Sequence, residues 1–364
     1  MPSEASVERS EVRAGALTAF LRGLLAAAIL LGLHQLPALA GPPGSPSIVS
    51  VVRVIPGASL QDTFRRPSGL FVAAERDLFL VADSGNHRLV AFEGSGRCRG
   101  SIPLQTSSAG VGACEPTAVA ADASGRLFVV DALSAEVAVL TARGSRLGAL
   151  ELLDPAGSAG KPQAIDVGPS GSIYLLSGGA SARLAILDPS GRLLGVQSLA
   201  PGAESFDSAL SLAVNEPAGL LGLTAPRADQ QVRVYDLASQ LLAEFGPHGE
   251  GEGTFSFAGH VAWGPGNTIW VTDTLRHSIS VFDARGEYLG KIGGFGREPG
   301  QFCFPVACGF LSDDRLIVVE RGTARCQILQ VVMTRPDQFS FTPGHSVPLA
   351  GGFESPNPTG GNSR

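Results

Sequence analysis

Histidine is the residue type in this sequence whose chemistry most readily supports catalysis, because imidazole binds metals and transfers protons. The chain of 364 residues has six histidines, and three of them lie in an apolar N-terminal segment or in stretches rich in Gly and Pro. The other three are His87, His260 and His277. A catalytic zinc ion needs about three protein ligands around an open position, so these histidines can serve only if the fold brings them together. The spacing alone predicts no metal and no other cofactor.

Four acidic residues recur at the ends of apolar stretches: Asp83, Asp131, Asp273 and Glu320. They could be mistaken for general acids or for a calcium ring. Their recurrence favours a structural role, in which each carboxylate accepts backbone N–H groups of its own loop and pairs with a cation. Arg88 and Arg325 follow two of these acids by five residues and suit such pairs. Because no Ser-His-Asp triad and no nucleophilic cysteine emerges from the spacing, we predict no catalytic residues and a binding protein rather than an enzyme.

These acids belong to a repeat that organises most of the chain. Apolar strands close on a polar residue every 46 to 49 positions, at Asp83, Asp131, Ser177, Thr224, Asp273 and Glu320. A unit of this length holds four short strands, the content of one propeller blade, and a closed ring hides the strand edges. The sixth unit ends after its third strand, whereas residues 48–55 form a strand with no blade of its own. We therefore expect an all-β, six-bladed β-propeller over residues 48–332, its last blade closed by this N-terminal strand.

The string from Ala82 to Leu89, ADSGNHRL, resembles the most recognisable stretch of NHL repeats. Residues 273–279 repeat this loop, and residues 286–302 are similar to the usual connection between NHL blades. The resemblance covers residues 46–332 and is weakest at residues 224–229. It implies a six-bladed propeller of the NHL type. It leaves the function open, since such propellers serve as extracellular sensors, interaction modules, RNA-binding domains and a peptidyl-hydroxyglycine lyase.

The lyase of this family holds a central metal with several histidines, which gives an alternative function for this chain. That alternative is a metal-dependent lyase or lactone hydrolase with its site at the mouth of the central channel. His260 stands near the position where most units carry the Pro that opens their first strand, which would direct it into the channel. A metal site of this kind would require His87 and His277 to converge with His260.

The first 40 residues resemble an export signal. An apolar run from Gly23 to Leu33 precedes Ala38 and Ala40, which suit cleavage by signal peptidase, and the run is short for a membrane span. We predict a secreted or periplasmic protein, with an uncleaved N-terminal anchor and membrane contact as the alternative. Residues 41–47 are assigned as a linker, and residues 333–364, rich in Pro, Gly and Ser, as a mostly disordered tail.

Direction alternates along a blade, so the loop entering the first strand and the loop joining the second strand to the third lie at one end. We name this end the entry face. It gathers many of the cations of an otherwise acidic chain, whose net charge of −6 disfavours nucleic acid as a partner. The expected binding residues are Arg65, Arg66, His87, Arg88, Lys161, Arg227, His260, Arg276, His277, Arg321 and Arg325. We expect an anionic protein or glycan partner here, unless most of the arginines are consumed by the strand-end acids.

Five cysteines lie after the predicted cleavage site, where disulfides can persist. Cys303 and Cys326 both fall at the entry-face end of the sixth unit and form one candidate bridge. Cys98 and Cys114 flank a connection between units and form another. Cys308, about 16 Å further along a strand than Cys303, is left free.

Overall fold

The computed structural model describes residues 46–104, 114–150, 160–178, 182–199, 210–312 and 314–333. The predicted export segment, the linker up to residue 45 and the C-terminal tail from residue 334 lie outside these residues. The described chain is all-β, with 24 strands and four single-turn 3₁₀ helices at Ala74–Arg76, Ser84–Asn86, Glu216–Ala218 and Pro265–Asn267. In this part of the chain no helix has the length and apolar character needed to cross a membrane.

The strands form six four-stranded antiparallel sheets. An N-terminal strand, β1 (Pro46–Ile55), precedes them. Blade 1 contains β2 (Pro67–Ala73), β3 (Leu78–Asp83), β4 (Arg88–Glu93) and β5 (Cys98–Pro103). Blade 2 contains β6 (Pro116–Ala121), β7 (Leu127–Asp131), β8 (Val137–Leu140) and β9 (Arg146–Ala149). Blade 3 contains β10 (Lys161–Val167), β11 (Ile173–Gly178), β12 (Arg183–Leu187) and β13 (Leu193–Ser198).

The second half of the ring repeats this arrangement. Blade 4 contains β14 (Ser211–Asn215), β15 (Leu220–Thr224), β16 (Gln230–Asp236) and β17 (Leu241–Pro247). Blade 5 contains β18 (Ala258–Gly264), β19 (Thr268–Asp273), β20 (Ser278–Phe282) and β21 (Tyr288–Gly293). Blade 6 contains β22 (Pro305–Phe310), β23 (Arg315–Glu320) and β24 (Arg325–Met333). Blade 4 is complete although its sequence resembles the repeat least.

The core lies between the blades. The second strands β7, β11, β15 and β19 are buried along their whole length, because each packs against a neighbouring blade on both faces. Among the described residues the buried apolar side chains form six clusters, and each cluster is shared by two adjacent blades. A single blade therefore cannot bury its own faces, and the ring is the stable unit.

Strand β1 closes the ring, as the sequence predicts. It pairs antiparallel with β24 from Pro46 opposite Met333 to Ile55 opposite Cys326, and so supplies the outermost strand of blade 6. The Ile55 end lies at the entry face, since β24 begins there after the loop that joins it to β23. Pro46 and Met333 consequently lie at the opposite end of blade 6.

Candidate functional site

The strand-end acids connect the two loops of the entry face within their own blades. Asp83 accepts hydrogen bonds from the Arg65 backbone N–H at 2.7 Å and from the Asn86 amide at 2.7 Å. Asp131 accepts from Glu115 N–H, Asp273 from Ser256 N–H and Glu320 from Cys303 N–H, at 2.8 to 2.9 Å. All four carboxylates are buried. They are occupied in holding loops, which is the structural role that their recurrence indicates.

Three of the expected binding arginines are committed to these contacts. Arg88 donates from Nε to Asp83 at 2.8 Å, and Arg325 donates from Nε to Glu320 at 2.7 Å, both with nearly buried side chains. Arg276 bonds the carbonyl oxygens of Gly249, Gly251 and Thr254 and lies 3.7 Å from Asp273. These three side chains stabilise the loops of blades 1, 5 and 6, so they are not available to a partner.

The other cations of the predicted set lie nearer to solvent. Arg65 is exposed, and its guanidinium has no hydrogen bond or ion pair among the described residues. Lys161 is exposed and donates to the Ala132 carbonyl at 3.1 Å, while Arg227 is exposed and engaged with a neighbouring group. His87 lies partly buried, with its Nδ1 2.7 Å from the Cys114 carbonyl oxygen.

Six residues, one from each blade, form a ring around the channel mouth. Each of them immediately precedes the first strand of its blade or opens it. Strand pairing aligns Pro67, Pro116, Pro162, Ser211, Ala258 and Pro305, each opposite the residue that closes the second strand. The residues one position earlier are Arg66, Glu115, Lys161, Leu210, Phe257 and Phe304. The mouth is therefore ionic in blades 1 to 3 and apolar in blades 4 to 6.

Arg66 and Arg321 form a cationic pair at this mouth. Arg66 lies 3.2 Å from the carboxylate of Glu115. Arg321, in the loop after β23, lies close enough that burial and the positive charge of Arg66 lower its pKa, while Glu115 opposes the shift. The cluster contains two guanidiniums and one carboxylate, which is paired with Arg66, so it carries a net positive charge.

An aromatic group adjoins the pair. The His277 ring lies 4.5 Å from the Phe304 ring and 4.8 Å from the Phe295 ring, measured between centroids. The Phe304 backbone N–H donates to His277 Nδ1 at 3.0 Å. Phe295 is 71% exposed and Phe304 39% exposed. We name these three residues the aromatic shelf, which leaves apolar surface open to solvent beside two arginines.

The central channel has a volume of about 550 Å³ and is lined by the first strands of all six blades. Polar and apolar atoms contribute about equally to its lining, which includes Asp166 and His260. Burial raises the pKa of Asp166 to about 6, although Val214 and Val167 donate backbone hydrogen bonds to it. Burial also lowers the pKa of His260 to about 4, so this imidazole is neutral at pH 7.

His260 does not occupy the position of the strand-opening Pro, contrary to the sequence interpretation. A bulge at Gly259 leaves Ala258 opposite Asp273, and His260 pairs with Thr272 two residues deeper in the channel. Its Nδ1 accepts the Cys308 backbone N–H at 3.4 Å. His87 and His277 bond backbone groups of other loops, and no three His, Cys, Asp or Glu among the described residues are grouped to hold a metal ion. This part of the chain does not fit the ligand set of the lyase.

The predicted disulfides are not formed, and all five cysteines, which lie in described segments, are free. Cys98 packs in the apolar cluster between blades 6 and 1, whereas Cys114 belongs to the cluster between blades 1 and 2. The body of blade 1 separates the two thiols. Cys326 is fully buried in β24, and Cys303 lies in the loop against Gly322.

Sequence reasoning missed Phe295, Phe304, Glu115 and Asp166. When the repeats are aligned on their opening Pro, Phe304 precedes Pro305 as Arg66 precedes Pro67. The position of Phe304 at the channel mouth was therefore predictable from the sequence. Both residues adopt positive φ, 52° and 48°. Phe295 carries no such signal because it lies in a connection between blades.

Comparison with known proteins agrees with this architecture. The NHL repeat model matches residues 64–92, and no curated protein matches the chain. Among solved structures, a gluconolactonase from Xanthomonas campestris superposes with a TM-score of 0.58 at 15% identity, covering 81% of this chain and 99% of that one. A streptogramin B lyase gives 0.51 at 10% identity, covering 74% and 94%. A protein of unknown function from Bacteroides thetaiotaomicron gives 0.58 at 11% identity, covering 79% and 76%.

At these identities the likeness is one of fold. The ring of six antiparallel sheets and the matched repeat in blade 1 agree with the repeat spacing of the whole chain. The chain is an NHL-type six-bladed β-propeller, with its last blade closed by the N-terminal strand.

Proposed function

We propose that this propeller is an exported, non-catalytic binding or scaffolding module. It engages an anionic protein or glycan partner through the cations of the entry face that the strand-end acids leave available. Export follows from the signal-like residues 1–40, and secretion or a periplasmic location is part of the same proposal.

The observation that supports this function best is the arrangement of Arg66, Arg321 and Glu115. Two guanidiniums lie near a single carboxylate, which is paired with Arg66, so an incoming anion meets an unbalanced positive charge on a chain that is acidic as a whole. Like charges held together at a surface are costly unless a counter-charge offsets them, and a bound carboxylate or sulfate would supply it. Arg65 adds a third cation on the same face.

The metal-dependent lyase or lactone hydrolase is the alternative. The gluconolactonase and the streptogramin B lyase share the fold, but identities of 10 to 15% do not transfer an activity. His260 is separated from the other histidines, and the described residues lack a grouped ligand set. Stoichiometric zinc or calcium in the purified chain would nevertheless favour this alternative over the binding function.

The binding function is tested by reversing the charge of the available arginines. The full chain and its Arg65→Glu, Arg66→Glu, Arg321→Glu triple variant are immobilised, and the proteins and glycans retained from an envelope extract are quantified. We expect the variant to lose the retained components. The committed Arg88, Arg276 and Arg325 are left intact because their replacement would unfold the loops.

A matched control variant distinguishes the effect of the position of the replaced arginines from the effect of the change in net charge. The Arg99→Glu, Arg143→Glu, Arg285→Glu variant carries the same change in net charge at exposed positions on β5 and on the opposite face. It should retain the components that the wild-type chain retains. Equal retention by all three chains would refute the entry face as the binding surface.

A further inference from the structure

The arginine pair and the aromatic shelf form one continuous strip across the junction of blades 5, 6 and 1. The Arg321 backbone N–H donates to the Phe304 carbonyl at 3.0 Å, which places the arginine directly beside the shelf. The ring of Phe304 also lies against Gly322, since a Cβ at that glycine would fall 2.8 Å from its Cδ2. We name Phe295, His277, Phe304, Arg321 and Arg66 the blade 6–1 strip.

The backbone presents this strip in a fixed form. Phe304 and Arg66 both have positive φ, which L-residues with large side chains adopt only when their surroundings impose it. The surroundings are visible: Cys303 N–H is held by Glu320, Phe304 N–H by His277, and Arg65 N–H by Asp83. A partner therefore meets side chains whose backbone is already ordered, which reduces the entropy lost on binding.

The strip combines two kinds of chemistry. At one end a carboxylate can bind two guanidiniums, which form strong charge-assisted hydrogen bonds and offset the excess positive charge. At the other end, burying an exposed phenyl ring yields hydrophobic stabilisation, about 25 cal/mol per Å² of apolar surface. A ligand that uses both must carry an anionic group and a large apolar group within a few residues of each other.

We infer that the blade 6–1 strip binds an acidic peptide segment of a partner protein. An Asp or Glu side chain lies between Arg66 and Arg321, and a neighbouring large apolar side chain packs on Phe295 and Phe304. This inference rests on the proposed function and names the class of its partner.

A peptide fits this strip better than a glycan does. Recognition of sugar hydroxyls needs several amide or carboxylate groups with unused hydrogen-bonding capacity. The carboxylate of Glu115 is paired with Arg66, and His277 Nδ1 accepts a backbone N–H. The exposed rings are phenyl groups without polar atoms. Charge complementarity combined with bare phenyl surface suits an acidic and apolar peptide.

The inference is tested with labelled peptides and the full chain. Fluorescein-labelled peptides of twelve residues carry two Glu and one Phe, separated by one to four positions in a Ser/Gly background. Matched peptides replace both Glu by Gln, or Phe by Ser. In fluorescence anisotropy titrations at fixed salt we expect at least one Glu/Phe peptide to bind about tenfold more tightly than both of its matched peptides.

Variants of the strip locate the binding. Arg321→Gln should reduce the affinity for the Glu/Phe peptide and leave the affinity for the Gln peptide unchanged. Phe295→Ser should reduce the affinity for peptides that carry Phe and leave the affinity for the Ser peptide unchanged, and because Phe295 is exposed, folding should be preserved. Arg143→Gln and Leu194→Ser, at exposed positions outside the entry face, are the matched controls and should bind as the wild-type chain does.

Equal affinity for the Glu and Gln peptides, or no binding by any Glu/Phe peptide, overturns the inference. A parallel array of acidic oligosaccharides distinguishes this failure from that of the proposed function. If oligosaccharides bind and Arg321→Gln abolishes their binding, the entry face is a binding surface whose partner is a glycan. If neither ligand class responds to replacement of Arg65, Arg66 and Arg321, the inference and the proposed function both fail.

Discussion

The Nε–H of Arg88 donates to Oδ2 of Asp83 at 2.8 Å, and the carboxylate side chain is fully buried. Arg325 and Glu320 make the same contact at 2.7 Å in blade 6. The two pairs flank the ring closure and hold the loops that carry Arg65, Arg66 and Arg321. The surface proposed to bind a partner therefore depends on buried ion pairs beneath it.

Removing one partner of such a pair should destabilise the fold strongly. Arg88→Met leaves Asp83 buried without its cation, and we expect the free energy of unfolding to fall by about 3 kcal/mol, since an uncompensated buried charge is costly. Urea denaturation followed by circular dichroism measures the change. The exposed pair of Arg97 and Glu93 is the control, and Arg97→Met should leave the denaturation midpoint unchanged. Similar midpoints for both variants would show that the buried pair contributes little.

Closure by β1 should be essential to stability. Deleting residues 1–55 removes the partner of β24 and the buried Ile55, and uncovers Cys326 and Ile328 of the cluster between blades 6 and 1. We expect insoluble protein or a markedly lower Tm. Deleting only residues 1–40 keeps β1 and should leave the Tm of the full chain. An equal Tm for the two truncated chains would show that the ring is stable without its N-terminal strand.

The blade number and the ring closure were predictable because they follow from periodicity. The second strand of each blade is largely buried, so its apolar run and closing polar residue recur at a nearly constant interval. Even blade 4, which lacks the acid at Thr224, keeps this interval. The location of the strand-end acids at the entry face follows from the alternation of strand direction within each blade.

The binding surface was only partly predictable. Arg66 and Arg321 are far apart in sequence and lie near each other only because the ring closes between blades 6 and 1. Side-chain contacts decide which arginines are occupied in holding loops. Arg276 bonds three carbonyl groups, and no rule of sequence spacing predicts these contacts. The position of His260 was predicted wrongly because blade 5 has Ala258 in place of the opening Pro, and His260 follows Ala258 by two residues.

Asp166 should make stability depend on pH. Its pKa is raised to about 6 in the fold, mainly by burial, with Glu216 adding to the shift, whereas an unfolded Asp titrates near 4. Between these values the folded chain holds the proton that the unfolded chain releases, so this residue costs stability as pH rises from about 4 to 6. Below pH 4 it is protonated in both states, and above pH 6 the cost is constant.

The Asp166→Asn variant removes this dependence. The free energy of unfolding of the variant minus that of the wild-type chain should increase by about 1.4 kcal/mol per pH unit between pH 4 and 6. Outside this range the difference should stay constant. Urea denaturation of both chains at pH 4, 5, 6 and 7.5 measures the difference. A difference that stays constant with pH would show that Asp166 titrates alike in the folded and unfolded chains.

Thiol reactivity distinguishes the two disulfides predicted from the sequence from the five free cysteines of the structure. Burial raises the pKa of Cys114 and of Cys308 to about 12 and that of Cys326 well above its usual value, and thiolates are the reactive form. Cys303 is buried as well, whereas Cys98 is partly exposed. At pH 8 we expect one thiol to react rapidly with Ellman's reagent in the folded chain, and Cys98→Ser to abolish that reaction.

After denaturation without reductant, five thiols should react, because blade 1 separates Cys98 from Cys114 and the other three are free in the fold. A count of three, or of one, would mean that one or both predicted bridges form on export. In that case, a cross-link between Cys303 and Cys326 would tie the loop beneath Phe304 to β24. The aromatic shelf would then be held by a covalent bond as well as by Glu320, and the redox state of the chain would alter the blade 6–1 strip.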